Sequence, residues 1–108
     1  MQIPKRFKIL GHSIEVAENK RLAHERNWNG AACYEECRIE LLPKSEQHPL
    51  SETKTEQVFC HELSHFLLYY AGAAINHQLD GKYAHQNEEF VDLIGSLLHQ
   101  VLTTMEYE

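Results

Sequence analysis

Hydrophobic and polar positions follow two different periods along this chain. Between Phe7 and Val16 the apolar residues alternate with polar neighbours, and Leu10-Gly11-His12 interrupts the alternation. A period of two is typical of a strand with one apolar face, and a glycine-containing interruption marks a turn. The segment therefore predicts a short β-hairpin or a single bent strand.

The region that follows carries weaker signals. Residues 19–27 are charged and poorly patterned, which is compatible with one helical turn or with a loop. Two short runs, Ala31–Tyr34 and Cys37–Leu42, then predict a pair of strands joined through Glu35-Glu36. Pro43 ends the second strand, and residues 44–50 form a polar connection.

The second half of the chain has the period of an α-helix in two places. The first helix is expected to begin near Ser51, whose side chain can cap the free N–H groups. It is expected to run to Ala71, with Gly72 as its stop. Residues 73–86 then predict a loop of about fourteen residues, a length that is usually functional in a small domain.

The second helix is expected to follow the cap residue Asn87 and to run from Glu88 to about Thr104. Seven residues form its apolar face: Phe90, Val91, Ile94, Leu97, Leu98, Val101 and Leu102. The opposite side carries the stripe Glu88, Asp92, Gly95 and His99. Weak strands before two long helices predict an α+β fold, in which a small antiparallel or mixed β-sheet packs on both helices.

Composition limits the classes of protein that fit. The chain has 108 residues, 43% of them hydrophobic and 24% charged, which predicts one soluble globular domain. Because no apolar run reaches about 18 residues, no membrane span is expected. A net charge of −6 argues against direct nucleic-acid binding. Three cysteines and no export signal after Met1 suggest a reducing compartment.

The first helix contains the motif His-Glu-x-x-His, formed by His61, Glu62 and His65. Residues four apart lie on the same helix face, so both histidines can bind one metal ion. Zinc held by two imidazoles has room for a third protein ligand and a water, whose pKa it lowers to about 7. Glu62 is expected to take the proton from that water and pass it to the leaving amine.

The helical context separates this motif from two incidental histidines on a solvated face. Phe59, Leu63, Phe66 and Tyr70 fall on one side of the helix, and the two histidines fall on the other. One side is thus expected in the core, and the other is expected to carry the metal site.

A third ligand is expected from the second helix. One class of zinc protease extends the motif with a glycine and a third histidine, but this chain has leucine and alanine there. The other common arrangement takes Glu-x-x-x-Asp from the following helix, and Glu88 with Asp92 fits it. Glu88 is expected to bind zinc and Asp92 to accept a hydrogen bond from His61. Glu89 is the less favoured ligand, because Leu93 occupies the position one turn after it.

Residues 61–68 and 88–98 resemble two helices of the small gluzincin-type metallopeptidases of the ImmA/IrrE kind, including short phage and prophage versions. Those helices read His-Glu-Leu-x-His and Glu-x-x-Ala-Asn-x-Phe-Ala-x-x-Leu-Leu. This chain departs from the second at Val91-Asp92, at Ile94, and in lacking the proline after Leu-Leu. The resemblance implies a minimal zincin-like domain over residues 1–108. It also implies a zinc endopeptidase of the bacterial or phage cytoplasm whose substrate is a regulatory protein.

Two further parts of such a site follow from the resemblance. In similar enzymes an extended peptide substrate pairs with an edge strand, for which Cys37–Leu42 is the candidate. A hydrogen-bond donor to the developing oxyanion is also needed, and Tyr83, His85 and His77 are candidates between which the sequence does not choose.

Two other functions compete with this interpretation. Cys33 and Cys37 together with His61 and His65 could form a structural Cys2His2 zinc site, which would make the protein a binding module. The spacing between the two pairs is much longer than in a zinc finger, and the acidic residues of the helices would have no role. The second alternative is an inactive zincin-like domain that only binds a partner, although the presence of Glu62 argues against it. The sequence does not indicate an oligomeric state.

Overall fold

A computed structural model gives the fold and describes residues 1–26, 28–75, 78–79 and 82–107. The first half contains strands β1 (Arg6–Ile9), β2 (His12–Glu18), β3 (Gly30–Cys33) and β4 (Arg38–Leu41), with the short helix α1 (Leu22–Arg26) between β2 and β3. The second half contains the long helices α2 (Glu52–Ile75) and α3 (Glu88–Thr104). Between these helices lie β5 (Gln78–Leu79), β6 (Lys82–Tyr83) and a 3-10 turn (Ala84–Gln86). The predicted α+β class is confirmed.

Strands β1 and β2 form the predicted hairpin. Their antiparallel register pairs Ile9 with His12, so only Leu10 and Gly11 remain in the turn. Both turn residues have positive φ, 48° and 83°, as a type I′ turn requires. His12, expected in the turn, belongs instead to the second strand.

The four-stranded sheet has the order β1-β2-β4-β3. Strand β4 is parallel to β2 and antiparallel to β3, so the sheet is mixed and β4 lies inside it. The expectation that Cys37–Leu42 presents a free edge is therefore wrong. Ile39 of β4 is fully buried, whereas β3 consists of small residues, so burial of apolar surface favours β4 in the interior. The free edge next to α2 belongs to β3.

Helix α2 begins as expected, because the Ser51 hydroxyl accepts a hydrogen bond from the Lys54 N–H at 3.0 Å. It does not stop at Gly72 but continues to Ile75. One glycine inside a helix costs only about 1 kcal/mol, and continued hydrogen bonding in a long packed helix outweighs that cost. The predicted fourteen-residue loop is correspondingly shorter and contains β5, β6 and the 3-10 turn.

The hydrophobic core lies between the sheet and α2. Its buried members come from β2, β4 and α2: Ile14, Ile39, Leu41, Phe59, Cys60 and Phe66. Phe59 and Phe66 belong to the side of the helix that was expected to face the core, and Leu63 and Tyr70 pack against the cluster while partly buried. This packing leaves the opposite side of α2 for α3 and for the polar residues of the motif.

Helix α3 approaches α2 through its polar stripe. A methyl group on Gly95 would lie 3.0 Å from the His61 Cα and 3.1 Å from its N, so any larger residue would push the two helices apart. The predicted apolar face is consequently divided. Val91 is fully buried, while Leu97 and Val101 each remain 51% exposed. No described helix combines the length and apolar character that crossing a bilayer requires.

Candidate metal centre

Helices α2 and α3 bring three predicted ligands together. His61 and His65 are one turn apart on α2, with ring centroids separated by 5.0 Å. Glu88, at the start of α3, places its Oε2 3.1 Å from His61 Nε2 and its Oε1 3.1 Å from His65 Nε2. The N-terminal position of Glu88 is fixed by Asn87, whose side chain accepts a hydrogen bond from the Phe90 N–H at 3.1 Å.

The geometry of these side chains fits a metal ion. One ligand atom from each residue can be chosen so that all three lie within 4.8 Å of one another. Ligands about 2.0–2.1 Å from a tetrahedral zinc ion are about 3.3 Å apart, close to the separations of 3.1 Å found here. His61, His65 and Glu88 thus form a group that can hold a metal, hereafter the metal-centre cluster. That the metal is zinc stays a prediction.

Hydrogen bonds behind the imidazoles support the same conclusion. His65 Nδ1 donates to the His85 carbonyl oxygen at 2.7 Å, so this nitrogen carries a proton. In a neutral ring the other nitrogen, Nε2, then has a lone pair, and this lone pair points at the Glu88 carboxylate. A proton or a metal ion between the two atoms would remove the conflict. Burial lowers the pKa of His65 and disfavours the proton. A metal ion between them would therefore remove the repulsion between the His65 Nε2 lone pair and the Glu88 carboxylate.

His61 has the same arrangement with two carboxylates. Its Nε2 faces Glu88, and its Nδ1 lies 3.4 Å from Asp92 Oδ1. Asp92 is thus next to the histidine that it was expected to contact, one turn after Glu88. The role of Asp92 in orienting the ring stays a prediction. Glu89, the alternative ligand, is exposed on α3 and is not part of the metal-centre cluster.

Glu62 is buried beside the metal-centre cluster with only 8% of its surface exposed. This burial raises the pKa of Glu62 to about 7, against the opposing effect of His61 and with a further contribution from Glu88. Gly30 of β3 packs close to this side chain. A methyl group there would lie 2.6 Å from Val58 Cγ1 and 3.2 Å from Glu62 Oε2. Strand β3 can therefore pack directly on the carboxylate.

Tyr34 is a site residue that sequence reasoning missed. It directly follows β3, and its hydroxyl oxygen lies 3.1 Å from His65 Nδ1. Its ring stacks on Tyr69 with the centroids 4.5 Å apart. Burial, and then the nearby Glu62 and Glu88 carboxylates, raise the pKa of Tyr34. No periodic signal links a tyrosine at the end of a strand to a histidine 31 positions later, so the sequence offered no way to find it.

Two of the three expected oxyanion donors, Tyr83 and His85, lie among the described residues, and neither lines the cleft beside the metal-centre cluster. His85 contributes its backbone carbonyl to His65, and its ring packs against Tyr34 and Tyr69. The buried His85 Nδ1 has no hydrogen-bond partner among the described residues. Tyr83 stacks on His85 with centroids 6.0 Å apart. His77 lies outside the described residues, so its predicted role is untested.

An open cleft of about 1090 Å³ runs past the metal-centre cluster. Its walls are the β3 edge, α2 and α3, and Tyr34 and Glu62 lie in it near the histidines. Further along, Trp28, Lys54 and Gln100 line the cleft. Neither Tyr83 nor His85 is among the lining residues.

The cysteines and histidines do not form the alternative Cys2His2 site. Cys37 Sγ contacts the Tyr70 hydroxyl at 3.8 Å. Burial, followed by the charge of Glu40, raises the pKa of the Cys33 thiol. Within the described part of the chain, the group of residues that could hold a metal contains no cysteine. The structural-zinc interpretation is therefore not supported.

A second histidine–carboxylate contact also joins the two long helices. His99 Nε2 of α3 lies 2.9 Å from Glu56 Oε1 of α2, and the Met1 amino group lies 3.0 Å from Glu56 Oε2. The side chains of His99 and Glu56 are each 15% exposed. The hydrogen bond from His99, and then that from the Met1 amino group, lower the pKa of Glu56. His99 and Glu56 are called the closed pair below.

Comparisons with protein-family models, with curated proteins and with solved structures find no match to this chain.

Proposed function

We propose that the protein is a zinc-dependent endopeptidase in which Glu62 is the general base. The observation that carries the proposal is the arrangement of acceptors around His61 and His65. Each imidazole has an oxygen acceptor behind it, and both direct Nε2 to the two oxygens of the Glu88 carboxylate. A divalent cation satisfies this arrangement, and a ligand set of two histidines and one glutamate is typical of catalytic zinc.

The chain's own groups have defined tasks in this mechanism. When bound, zinc would polarise the scissile carbonyl group and lower the pKa of a water molecule to about 7. Glu62, with its pKa raised to about 7, is matched to accept the proton from that water and to return it to the leaving amine. Its burial holds the carboxylate next to the metal-centre cluster, where a proton can move over a short distance.

The substrate is proposed to be an extended protein segment. Strand β3 lies at the edge of the sheet that the described residues form and lines the cleft, so an extended peptide can pair with it as an added strand. Gly30, Ala31 and Ala32 line this part of the cleft, so no large β3 side chain keeps the two backbones apart. The resemblance to the ImmA/IrrE metallopeptidases suggests a cytoplasmic regulatory protein as the physiological substrate.

The substitution Glu62→Gln tests this function. Cleavage of fluorescein-labelled casein by the zinc-loaded protein should fall about 100- to 10,000-fold, because the amide cannot accept the proton. Zinc content, measured by atomic absorption, should remain that of the wild type. Glu89→Gln is the matched control, since it makes the same chemical change on an exposed part of α3 and should leave cleavage unaltered.

Three outcomes would contradict the proposal. A wild-type protein that binds no zinc would remove its basis. A wild-type protein that binds zinc and leaves casein intact would favour the inactive domain that binds only a partner. Undiminished cleavage by Glu62→Gln would assign proton transfer to another group.

A further inference from the structure

Among the residues that the structure describes, two with hydroxyl side chains line the cleft, Tyr34 and Ser96. Of these two, the Tyr34 hydroxyl contacts the metal-centre cluster, at 3.1 Å from His65 Nδ1. Ser96 is exposed on α3. The role of Tyr34 depends on the direction in which its hydroxyl proton points.

The protonation of His65 answers that question. His65 Nδ1 donates its proton to the His85 carbonyl oxygen at 2.7 Å, and it must keep this proton when Nε2 binds a metal. A protonated nitrogen cannot accept a hydrogen bond. The Tyr34 oxygen can therefore only act as the second acceptor of a bifurcated hydrogen bond from the His65 Nδ1–H group. The hydroxyl proton of Tyr34 must then point away from His65. Among the described residues no other acceptor lies within hydrogen-bonding distance of this hydroxyl.

The Tyr34 ring is held in place by its neighbours. It stacks on Tyr69 at 4.5 Å and meets Phe66 and His85 edge-to-face at 5.2 Å and 5.4 Å. A donor held in this way needs little reorganisation when charge develops near it, which is the condition for effective electrostatic stabilisation of a transition state. Tyr34 also directly follows β3, so a peptide paired with that edge would pass next to it.

We propose that Tyr34 donates a hydrogen bond to the oxygen of the scissile carbonyl group as that oxygen becomes negatively charged. This role rests on the proposed peptidase function. It replaces Tyr83, His85 and His77 as the source of the oxyanion donor. No bond of Tyr34 is made or broken in the step, because the hydroxyl keeps its proton and only shares it with the oxyanion.

The test is Tyr34→Phe, with Tyr70→Phe as the matched control. The control removes the hydroxyl of a neighbouring tyrosine on α2 that contacts Cys37 and does not line the cleft. Kinetics are measured with zinc-loaded protein on a quenched fluorescent peptide that contains a cleavage site mapped in casein. For Tyr34→Phe we expect kcat to fall about 100- to 1,000-fold, the usual effect of removing one oxyanion donor. The KM and all parameters of Tyr70→Phe should stay close to the wild type.

Two measurements that do not depend on activity accompany the kinetics. Competition with a chromophoric chelator should show the same zinc affinity for Tyr34→Phe as for the wild type. Nitrogen-15 NMR of the zinc-loaded wild type should show His65 protonated at Nδ1. Together they separate a donor to the substrate from a residue that only orients His65.

Each of the remaining outcomes counts against Tyr34 in a distinguishable way. An unchanged kcat in Tyr34→Phe overturns the inference and leaves the proposed function intact. A parallel loss of zinc affinity makes Tyr34 a positioning residue for His65 and overturns the donor role. An Nδ1 that carries no proton removes the premise. Failure of the zinc-loaded wild type to cleave casein overturns the proposed function, and the inference with it.

Discussion

The metal-centre cluster and the closed pair use the same chemistry at two points of the same helix interface. Both join α2 to α3 through imidazole and carboxylate groups at hydrogen-bonding distance. In the closed pair, one imidazole meets a carboxylate that is 15% exposed and that also binds the Met1 amino group. In the metal-centre cluster, two imidazoles meet a carboxylate that is 69% exposed and borders the cleft.

The difference shows what distinguishes a metal site from a structural ion pair. Glu56 already has two nitrogen donors, so its negative charge is satisfied without a further cation. In the metal-centre cluster, His65 and His61 face oxygen acceptors with both of their nitrogens, and only a proton or a metal ion can satisfy them. The number and type of partners, more than the residue types, indicate which of the two groups could hold a metal ion.

The largest effect is expected from the matched substitutions Glu88→Gln and Glu56→Gln. Glu88→Gln removes one of three ligands and should weaken zinc binding at least about 100-fold, since loss of even an outer-shell partner costs 10- to 100-fold. Glu56→Gln should leave zinc affinity nearly unchanged. Both affinities are measured by competition with a chromophoric chelator at pH 7. Equal losses in the two variants would mean that the two clusters do not differ as described.

The metal-centre cluster and the closed pair both depend on the spacing between α2 and α3, and Gly95→Ala tests this spacing. The added methyl group would meet the His61 backbone at 3.0 Å, which should lower the free energy of unfolding by about 1–3 kcal/mol. Zinc affinity should fall as well, because Glu88 moves away from the histidines with α3. Urea denaturation of the metal-free protein and zinc competition measure the two effects.

Gly72→Ala is the control for Gly95→Ala, since it makes the same change inside α2. A methyl group at Gly72 meets no described atom within 4 Å. This substitution should therefore stabilise the helix by up to about 1 kcal/mol. Similar destabilisation by both substitutions would refute the assignment of Gly95 as the point of close helix contact.

A smaller, pH-dependent effect is expected from the closed pair. The pKa of Glu56 in the folded protein is lowered by the hydrogen bonds from His99 and from the Met1 amino group. Stability from this group is therefore fully present above the ordinary pKa of a glutamate, and it is lost as pH falls through the lowered folded-state pKa. Urea denaturation should show that wild type exceeds Glu56→Gln in stability at pH 7. The gap should shrink between about pH 5 and pH 3.

Persistence of the full difference at pH 3 would contradict this interpretation of the closed pair. It would indicate that Glu56 stabilises the fold through packing, which does not depend on its charge. Repeating the comparison with chelator present excludes any contribution from the metal-centre cluster.

The smallest effect is expected from Cys33→Ser and Cys37→Ser. Neither thiol belongs to the group of described residues that can hold a metal, so zinc stoichiometry should stay at that of the wild type in both variants. Atomic absorption after gel filtration measures it. Release of zinc from either variant would restore the Cys2His2 interpretation.

Local signals made much of this site predictable from the sequence. His61 and His65 share a helix face because they are four residues apart. Asn87 caps α3 just before Glu88 by accepting a hydrogen bond from the N–H of Phe90, three residues later. The Leu10-Gly11 turn is similarly local. Such features depend on neighbours in the chain, so a pattern of residue types is enough to find them.

The remaining features depend on contacts between distant segments. The parallel pairing of β2 with β4 moves the free edge to β3, and no pattern within β3 or β4 specifies that order. Helix α3 turns its Gly95 side toward α2, because glycine has no side chain to keep the helices apart. Leu97 and Val101 consequently stay exposed, although the helical period groups them with buried Val91. Tyr34 reaches His65 only because β3 and α2 are adjacent in the fold.

The close approach of Gly30 to Glu62 links the acid–base strength of this carboxyl group to a residue that has no side chain. A Cβ atom at position 30 would lie 3.2 Å from Glu62 Oε2, so strand β3 helps to keep water from a carboxylate that α2 carries. A substitution at position 30 is thus expected to change the pKa of Glu62 while the three residues of the metal-centre cluster stay the same. In the proposed mechanism the strand that would pair with substrate and the carboxylate that would move the proton are therefore neighbours, and we expect them to evolve together.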